Sequence, residues 1–329
     1  MKKNTMASLG EFGFIEMIKK SFSANSADGN ITAGIGDDCF CFKSAKGIIC
    51  VTKDMLVEDS HFRLDWISPY ELGEKAVEVN ISDIAAMGAV KPKYVFIGLA
   101  CPANMPADFV KKLYRGIKKA CGRCGAFIAG GDTVRSGKLA ISVTVIGEGC
   151  GKIIKRSGAR NGDLIGVTNC FGDSAAGLEL LTKYGADHKY NKEQKYLIRK
   201  HNLPRARLRE ACEIAGCATA MTDASDGLYI SVGLLAGGEK KGADIHIERI
   251  PLSRQLKKIE KNPLKRTNLA LYGGEDFELV FTVHASKART LKAIVPSVSY
   301  IGIINNCGKV RYFNNGKEEK SVYSGFRHF

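Results

Sequence analysis

Aspartate recurs in this chain at positions suited to chemistry. Five stretches set it beside glycine or a small or charged neighbour at loop-like positions: Gly36-Asp37-Asp38, Lys53-Asp54, Ser82-Asp83, Gly131-Asp132 and Asp223-Ala224-Ser225-Asp226-Gly227. A lone aspartate after glycine is ordinarily a turn residue or helix cap. Several that follow β-like runs point to oxygen ligands for a hard cation such as Mg²⁺, which takes carboxylates together with waters and substrate phosphates. A set this large suits several ions around a polyphosphate. Mutual repulsion makes such a site poor without metal.

The usual nucleotide signatures are absent. There is no G-x-x-x-x-G-K-[ST] loop, and Gly34-Ile35-Gly36 lacks the third glycine of a dinucleotide fingerprint. No kinase-like H-R-D or D-F-G set and no G-x-S-x-G elbow occurs. If phosphates are bound here, metal ions do most of the binding.

Two helical patterns and several short apolar runs must position these carboxylates. A strand over 47–51 ends at Thr52-Lys53-Asp54. Ser68-Pro69 then supplies an N-cap and first-turn proline, and Gly88 with Pro92 closes a helix in which Leu72, Ala76, Val79 and Asp83 share one face. That spacing turns Asp83 toward the buried side, where an unpaired carboxylate is costly. A second helix starts near Pro106, with Phe109, Leu113, Ile117 and Ala120 as its apolar stripe. Strands over 126–129 and 139–146 follow, with Gly130-Gly131-Asp132-Thr133 between them. The glycines of Gly147-Glu148-Gly149-Cys150-Gly151 mark a boundary between residues 1–149 and 150–329. Beyond it the pattern predicts strands over 164–168, 243–247, 277–283, 299–304 and 310–313. Helices are predicted from Ser174, capped by Asp173, and over 204–215 and 226–235. Mixed elements in both halves give an α+β architecture.

The 329 residues suit two domains. Apolar residues at 45% and charged residues at 25% exclude a disordered chain. No apolar run approaches the roughly 18 residues of a membrane span. Eleven cysteines in a chain this long are not a disulfide framework, so a reducing cytoplasm is the expected setting. Cys121 and Cys124 have metal-like spacing without a second pair to complete a site, and are read as a helix end. Lys and Arg exceed Asp and Glu by 49 to 34, a net charge of +15. The lysines fall in scattered pairs such as Lys111-Lys112 and Lys118-Lys119, as on solvated helix faces, and no zinc-finger or RNP-like motif accompanies them. Neither nucleic acid nor a membrane is an expected partner.

Eight motifs occur in order and carry a resemblance. They are GIGDDC from Gly34, TKDMLV from Thr52 with His61-Phe62, AVEVNISDIAAMG from Ala76, Gly130-Gly131-Asp132-Thr133, Arg156-Ser157-Gly158-Ala159, GDSAAGL from Gly172, DASDGL from Asp223 and GGEDFEL from Gly273. Together they resemble the thiamine-monophosphate kinase family, of the aminoimidazole-ribonucleotide-synthetase-like superfamily, almost from end to end. The resemblance implies an N-terminal α+β domain that pairs into a homodimer and a C-terminal α/β domain over a nucleotide cleft. It implies transfer of a phosphoryl group from ATP to thiamine monophosphate, the last step in making thiamine diphosphate, with several Mg²⁺ ions. Positions matching Asp38, Thr52, Lys53, Asp54, Asp83, Asp132, Asp223 and Asp226 are implied metal ligands. Of these, Asp54, Asp83, Asp132 and Asp223 carry catalysis. Tyr114, Gly131, Asp132, Arg156 and Ser225 are implied ATP contacts, and His61, Glu275 and Phe326 implied substrate contacts. One departure stands out. The family carries a small hydroxyl residue at Lys53, and an ammonium cannot ligate Mg²⁺, so only its main-chain oxygen could serve.

Two relatives by superfamily fit less well. A selenophosphate synthetase would carry a reactive Cys and a Lys in a glycine-rich N-terminal segment, and a hydrogenase-maturation carbamoyl dehydratase would end in cysteine. This sequence ends in His328-Phe329. A basic, non-catalytic nucleic-acid- or phosphate-binding protein is the rival of another class, and steep salt dependence of DNA binding without ATP turnover would mark it.

Overall fold

Ser68 and Glu71 close a capping box ahead of α1 (Pro69–Ala86): the Glu71 N–H donates to Ser68 Oγ and the Ser68 N–H to Glu71 Oε2. The expected amphipathic stripe is only part of what α1 buries. Almost every residue from Leu72 to Ala86 is buried, because the helix lies between the first sheet, α2 (Ala107–Cys124) and the segments Lys192–Asn202, Leu208–Ala215 and Ala218–Asp223 of the second half. The computed structural model describes residues 10, 13–18, 29–45, 47–237 and 241–319.

The first sheet has strands β1 (Ile31–Ala33), β2 (Phe40–Ser44), β3 (Gly47–Val57), β4 (Gly88–Cys101), β5 (Phe127–Arg135) and β6 (Ala140–Ile153). Their order is β1-β2-β3-β6-β4-β5; β4 and β5 are parallel and the other neighbours antiparallel. Helix α2 crosses over from β4 to β5 and ends at Gly125, whose φ of 74° is left-handed. Cys121 and Cys124 occupy its last turn, with Cys124 Sγ on the Cys121 carbonyl. The two helices touch backbone to backbone. A Cβ on Gly73 would lie 2.0 Å from the Leu113 carbonyl oxygen, and one on Gly116 would lie 1.9 Å from that of Tyr70.

Three strands run further than their sequence suggests. β3 continues through Thr52-Lys53-Asp54 to Val57 instead of ending there. Gly130-Gly131-Asp132-Thr133 is not a loop but the middle of β5, where a Cβ on Gly131 would meet the Ile97 carbonyl at 1.9 Å. Gly147, Gly149 and Gly151 lie inside β6, which closes against β3 and β4.

The second sheet contains β7 (Leu164–Thr168), β8 (Ala218–Asp223), β9 (Gly242–His246), β10 (Leu279–Val283), β11 (Val298–Asn305), β12 (Val310–Asn314) and β13 (Lys317–Glu319). The order is β13-β12-β9-β11-β7-β10-β8, antiparallel except for β9 beside β12. Around it lie α3 (Asp173–Tyr184), α4 (Lys192–Asn202), α5 (Leu208–Ala215), α6 (Leu228–Ala236), α7 (Arg254–Ile259), α8 (Pro263–Tyr272) and α9 (Ala285–Ile294). A shared apolar cluster joins the halves: Ala85 and Ala86 of α1 and Ile154 pack with Ile214, Met221 and Phe281. No helix among the described residues is long and apolar enough to cross a membrane.

Candidate active site

Side chains alternate along β3, so Thr52 and Asp54 lie on one face and Lys53 on the other. Lys53 is exposed, whereas Thr52 is buried and Asp54 half-buried. The Asp54 N–H donates to Oδ1 of Asn80, whose amide in turn bonds the Ala76 carbonyl, so α1 fixes the height of β3. Thr52 Oγ1 donates to Asp83 Oδ2 at 2.5 Å. One residue earlier, Ser82 Oγ donates to Asp223 Oδ2 at the end of β8. From the loop before β2, Asp38 completes the group. Asp38, Asp83 and Asp223 each offer a carboxylate oxygen within 4.8 Å of the others.

These carboxylates are held in a setting hostile to their charge. Burial, then the charges of Asp226 and Asp38, push Asp54 up to about 6. Burial and Asp38 push Asp223 up to about 7. Asp83 stands well above the ordinary range through burial and the charges of Asp54, Asp223 and Asp38. Asp38 is raised by burial, in part offset by Arg156. Arg156 Nη2 meets Asp38 Oδ1 at 2.7 Å, and Thr222 Oγ1 donates to the same oxygen at 3.0 Å. Asp38 Oδ2 is buried with no hydrogen-bond partner. An orphaned carboxylate oxygen beside two further carboxylates is a donor set suited to a hard divalent cation.

The remaining implied residues divide. Asp226 is close enough to Asp54 to raise its pKa, and the neighbouring Ser225 accepts the Glu275 N–H at 2.6 Å. Arg156 is engaged with Asp37 and Asp38 through its N–H and guanidinium. His61 Nδ1 accepts the Val57 N–H, and its ring is one of the groups that lower the Glu275 pKa. Asp132 and Gly131 are elsewhere. They sit on β5, three strands from β3, or about 14 Å at the usual strand spacing. Tyr114 is half-buried on α2 and packs against the first core. Phe326 lies outside the described residues.

GGEDFEL separates into three tasks. Asp276 accepts the N–H groups of Gly172 and Ser174 and so closes the start of α3, a helix whose N-cap is Gly172 and not Asp173. Glu278 is fully buried and takes Arg207, Thr168 and Asn169. Glu275 bonds Lys75 Nζ at 2.9 Å and faces His201 Nδ1 at 3.2 Å. Glu275 and Phe277 both have left-handed backbones, φ 62° and 50°, strain of about 1–3 kcal/mol each that clusters at working sites. Four residues here carry no reading from sequence: Lys75, Asn80, Ser82 and His201. Asn80 and Ser82 lie inside the quoted AVEVNISDIAAMG stretch, beside Asp83 on the same helix, and that adjacency is the signal that marks them.

Residues 36–148 match the family model described as AIR synthase related protein, N-terminal domain. A thiamine-monophosphate kinase of Aquifex aeolicus is 38% identical over 280 residues, 83% of this chain and 86% of that protein. One of Bacillus subtilis is 34% identical over 98% of this chain and 100% of its own length. The solved structure described as AaThiL complexed with AMPPCP and TMP superposes with a TM-score of 0.88 at 34% identity, covering 100% of both chains. Likeness on this scale, in sequence and in fold alike, makes the chain a member of the thiamine-monophosphate kinase family.

Proposed function

We propose that this chain transfers the γ-phosphoryl group of ATP directly to thiamine monophosphate, yielding thiamine diphosphate and ADP. The observation that carries this reading is the meeting of Asp38, Asp83 and Asp223 within 4.8 Å, in a chain of this family. Asp38, Thr52, Asp54, Asp83, Asp223 and Asp226 would hold Mg²⁺, and the bound ions would supply the positive charge that two facing phosphate chains need.

The acceptor explains why no side-chain base is required. The second pKa of a phosphate monoester is near 6, so thiamine monophosphate is mostly dianionic at neutral pH. One of its oxygens forms the new bond to the γ-phosphorus while the β–γ bridging bond breaks toward ADP. Repulsion between anions is the barrier to be lowered, and the Arg156 guanidinium beside Asp38 can meet a phosphate.

We also infer a homodimer formed through β5. All nine residues of that edge strand are exposed, among them Phe127, Ile128 and Val134, and Tyr94 and Phe96 on β4 are exposed beside them. An unpaired apolar edge of this kind is a template for pairing with a second chain. Pairing there would let Gly131 and Asp132 reach a phosphate chain in a site that lies three strands away within one protomer.

The direct test is to incubate the protein with Mg²⁺, γ-labelled ATP and thiamine monophosphate and resolve the products by anion exchange. Label entering thiamine diphosphate in step with ADP release is expected. Label appearing only as inorganic phosphate, or equal turnover with unphosphorylated thiamine, would refute the reading.

A further inference from the structure

Lys75 is among the largest fully enclosed side chains of the described residues, with 1% of its surface exposed. A buried ammonium is tolerated only when paired, and its partner is Glu275, two hundred residues later, at 2.9 Å. The same carboxylate oxygen, Oε2, faces Nδ1 of His201 at 3.2 Å. Burial and the Lys75 charge push His201 down to about 4, so its ring is neutral at neutral pH. Nδ1 facing a carboxylate favours the tautomer with its proton on that nitrogen, and Ser174 Oγ lies 3.2 Å from the same Nδ1. Lys75 comes from α1 and His201 from α4, so two elements converge on one oxygen, and Ser174 at the start of α3 meets the histidine. Glu275 Oε1 has no hydrogen-bond partner among the described residues, and about a quarter of the side chain is exposed. His61 is the other ring whose charge reaches this carboxylate.

We propose that Lys75 and His201 are positioning residues that pin Glu275 by Oε2 and leave Oε1 as the acceptor for the amino group of the substrate's aminopyrimidine ring. The proposal rests on the reading of Glu275 as a substrate contact and gives that contact its chemistry. With Lys75 against it, the carboxylate's charge is already balanced. A cationic thiazolium gains little there beyond ordinary contact, whereas an N–H donor gains a fixed acceptor. Specificity at this wall then follows hydrogen bonding and not charge.

The test is a kinetic cycle over Lys75→Met, Glu275→Gln and the double variant, with thiamine monophosphate and its 4′-oxo analogue, in which oxygen replaces the amino group. Lys75→Met is expected to raise KM for thiamine monophosphate about tenfold and to move kcat less. In the Glu275→Gln background the same change should alter KM less than twofold, because Lys75 acts through the carboxylate. The KM preference for the amino substrate over the 4′-oxo analogue should shrink in each single variant. His201→Asn, a smaller change that keeps an N–H donor in reach, repeats the cycle if Lys75→Met does not fold. Equal KM effects of Lys75→Met with and without Glu275 would overturn the positioning role while leaving Glu275 as a contact. A Glu275→Gln protein with unchanged KM would overturn both, and an unchanged amino preference would overturn the proposed hydrogen bond.

Discussion

Ser82 Oγ and Asp223 Oδ2 are 2.7 Å apart and 141 residues apart in the chain. The bond makes Asp83 and Asp223 parts of one assembly, because the chain neighbour of one carboxylate orients the other. A hydrogen bond to a charged acceptor contributes about 1.5–3 kcal/mol, roughly ten- to a hundredfold in an equilibrium constant. Ser82→Ala should therefore raise the Mg²⁺ concentration for half-maximal turnover by about tenfold or more. An unchanged Mg²⁺ midpoint would separate Ser82 from the metal-binding role of Asp223.

The metal-free protein should lose stability as pH rises. In the unfolded chain these carboxyls titrate near 3.8, whereas in the fold Asp54 keeps its proton to about 6 and Asp223 to about 7. Between those values these groups bind more protons in the folded state than in the unfolded one, so they lower the melting temperature from about pH 4 to about pH 7, and Asp276, pushed up to about 8, carries the fall further. Mg²⁺ should reverse the trend and stabilise most at pH 8. Asp83→Asn removes one repelling charge, so it should flatten the metal-free slope, blunt the Mg²⁺ shift and reduce turnover at least a hundredfold. Melting curves in EDTA and in Mg²⁺ across pH 5–8 decide it. A metal-free melting temperature that climbs through this range would contradict the assignment.

Val134→Glu combined with Phe127→Glu places charge on the exposed edge of β5 without touching the buried core. The expected outcome is a monomer in sedimentation velocity, with turnover reduced in proportion to the loss of dimer. Full activity in a monomeric double variant would show that Asp132 works within its own chain or not at all.

Gly116→Ala puts a methyl 1.9 Å from the Tyr70 carbonyl oxygen, which the backbone of α1 cannot vacate cheaply. Overpacking of this kind typically destabilises by about 1–3 kcal/mol. Chemical denaturation should register that loss. A variant as stable as the parent would mean that α1 and α2 slide apart freely.

The recurrence of aspartate after β-like runs was the legible signal: the structure brings Asp38, Asp83 and Asp223 together but leaves Asp132 three strands away. Helix α1 was legible too, from Ser68-Pro69 and the spacing of Leu72, Ala76 and Val79. Strand β8 was not, since Ala218-Thr219-Ala220-Met221 is short and poor in β-branched residues. Helix α4 was not, because Lys192–Asn202 is strongly polar and gives little apolar periodicity. Partnerships such as Lys75 with Glu275 are set by how two sheets meet around α1, and no local pattern encodes that. The place of Asp132 likewise depends on the strand order β3-β6-β4-β5, which the order of strands along the chain does not reveal.

A helix covered on every side cannot mature in stages. The first sheet alone would leave the flank of α1 that meets β8 and α5 bare, and the second half alone would lack the segment that caps its own cluster of Met221 and Phe281. The halves should therefore melt in one transition, and a chain cut in the stretch between Ile153 and Leu164 should yield fragments that fold only in each other's company. Asp83 on that helix should meet Asp38 and Asp223 only as the two halves close on it, so the acidic site and the core should be built together.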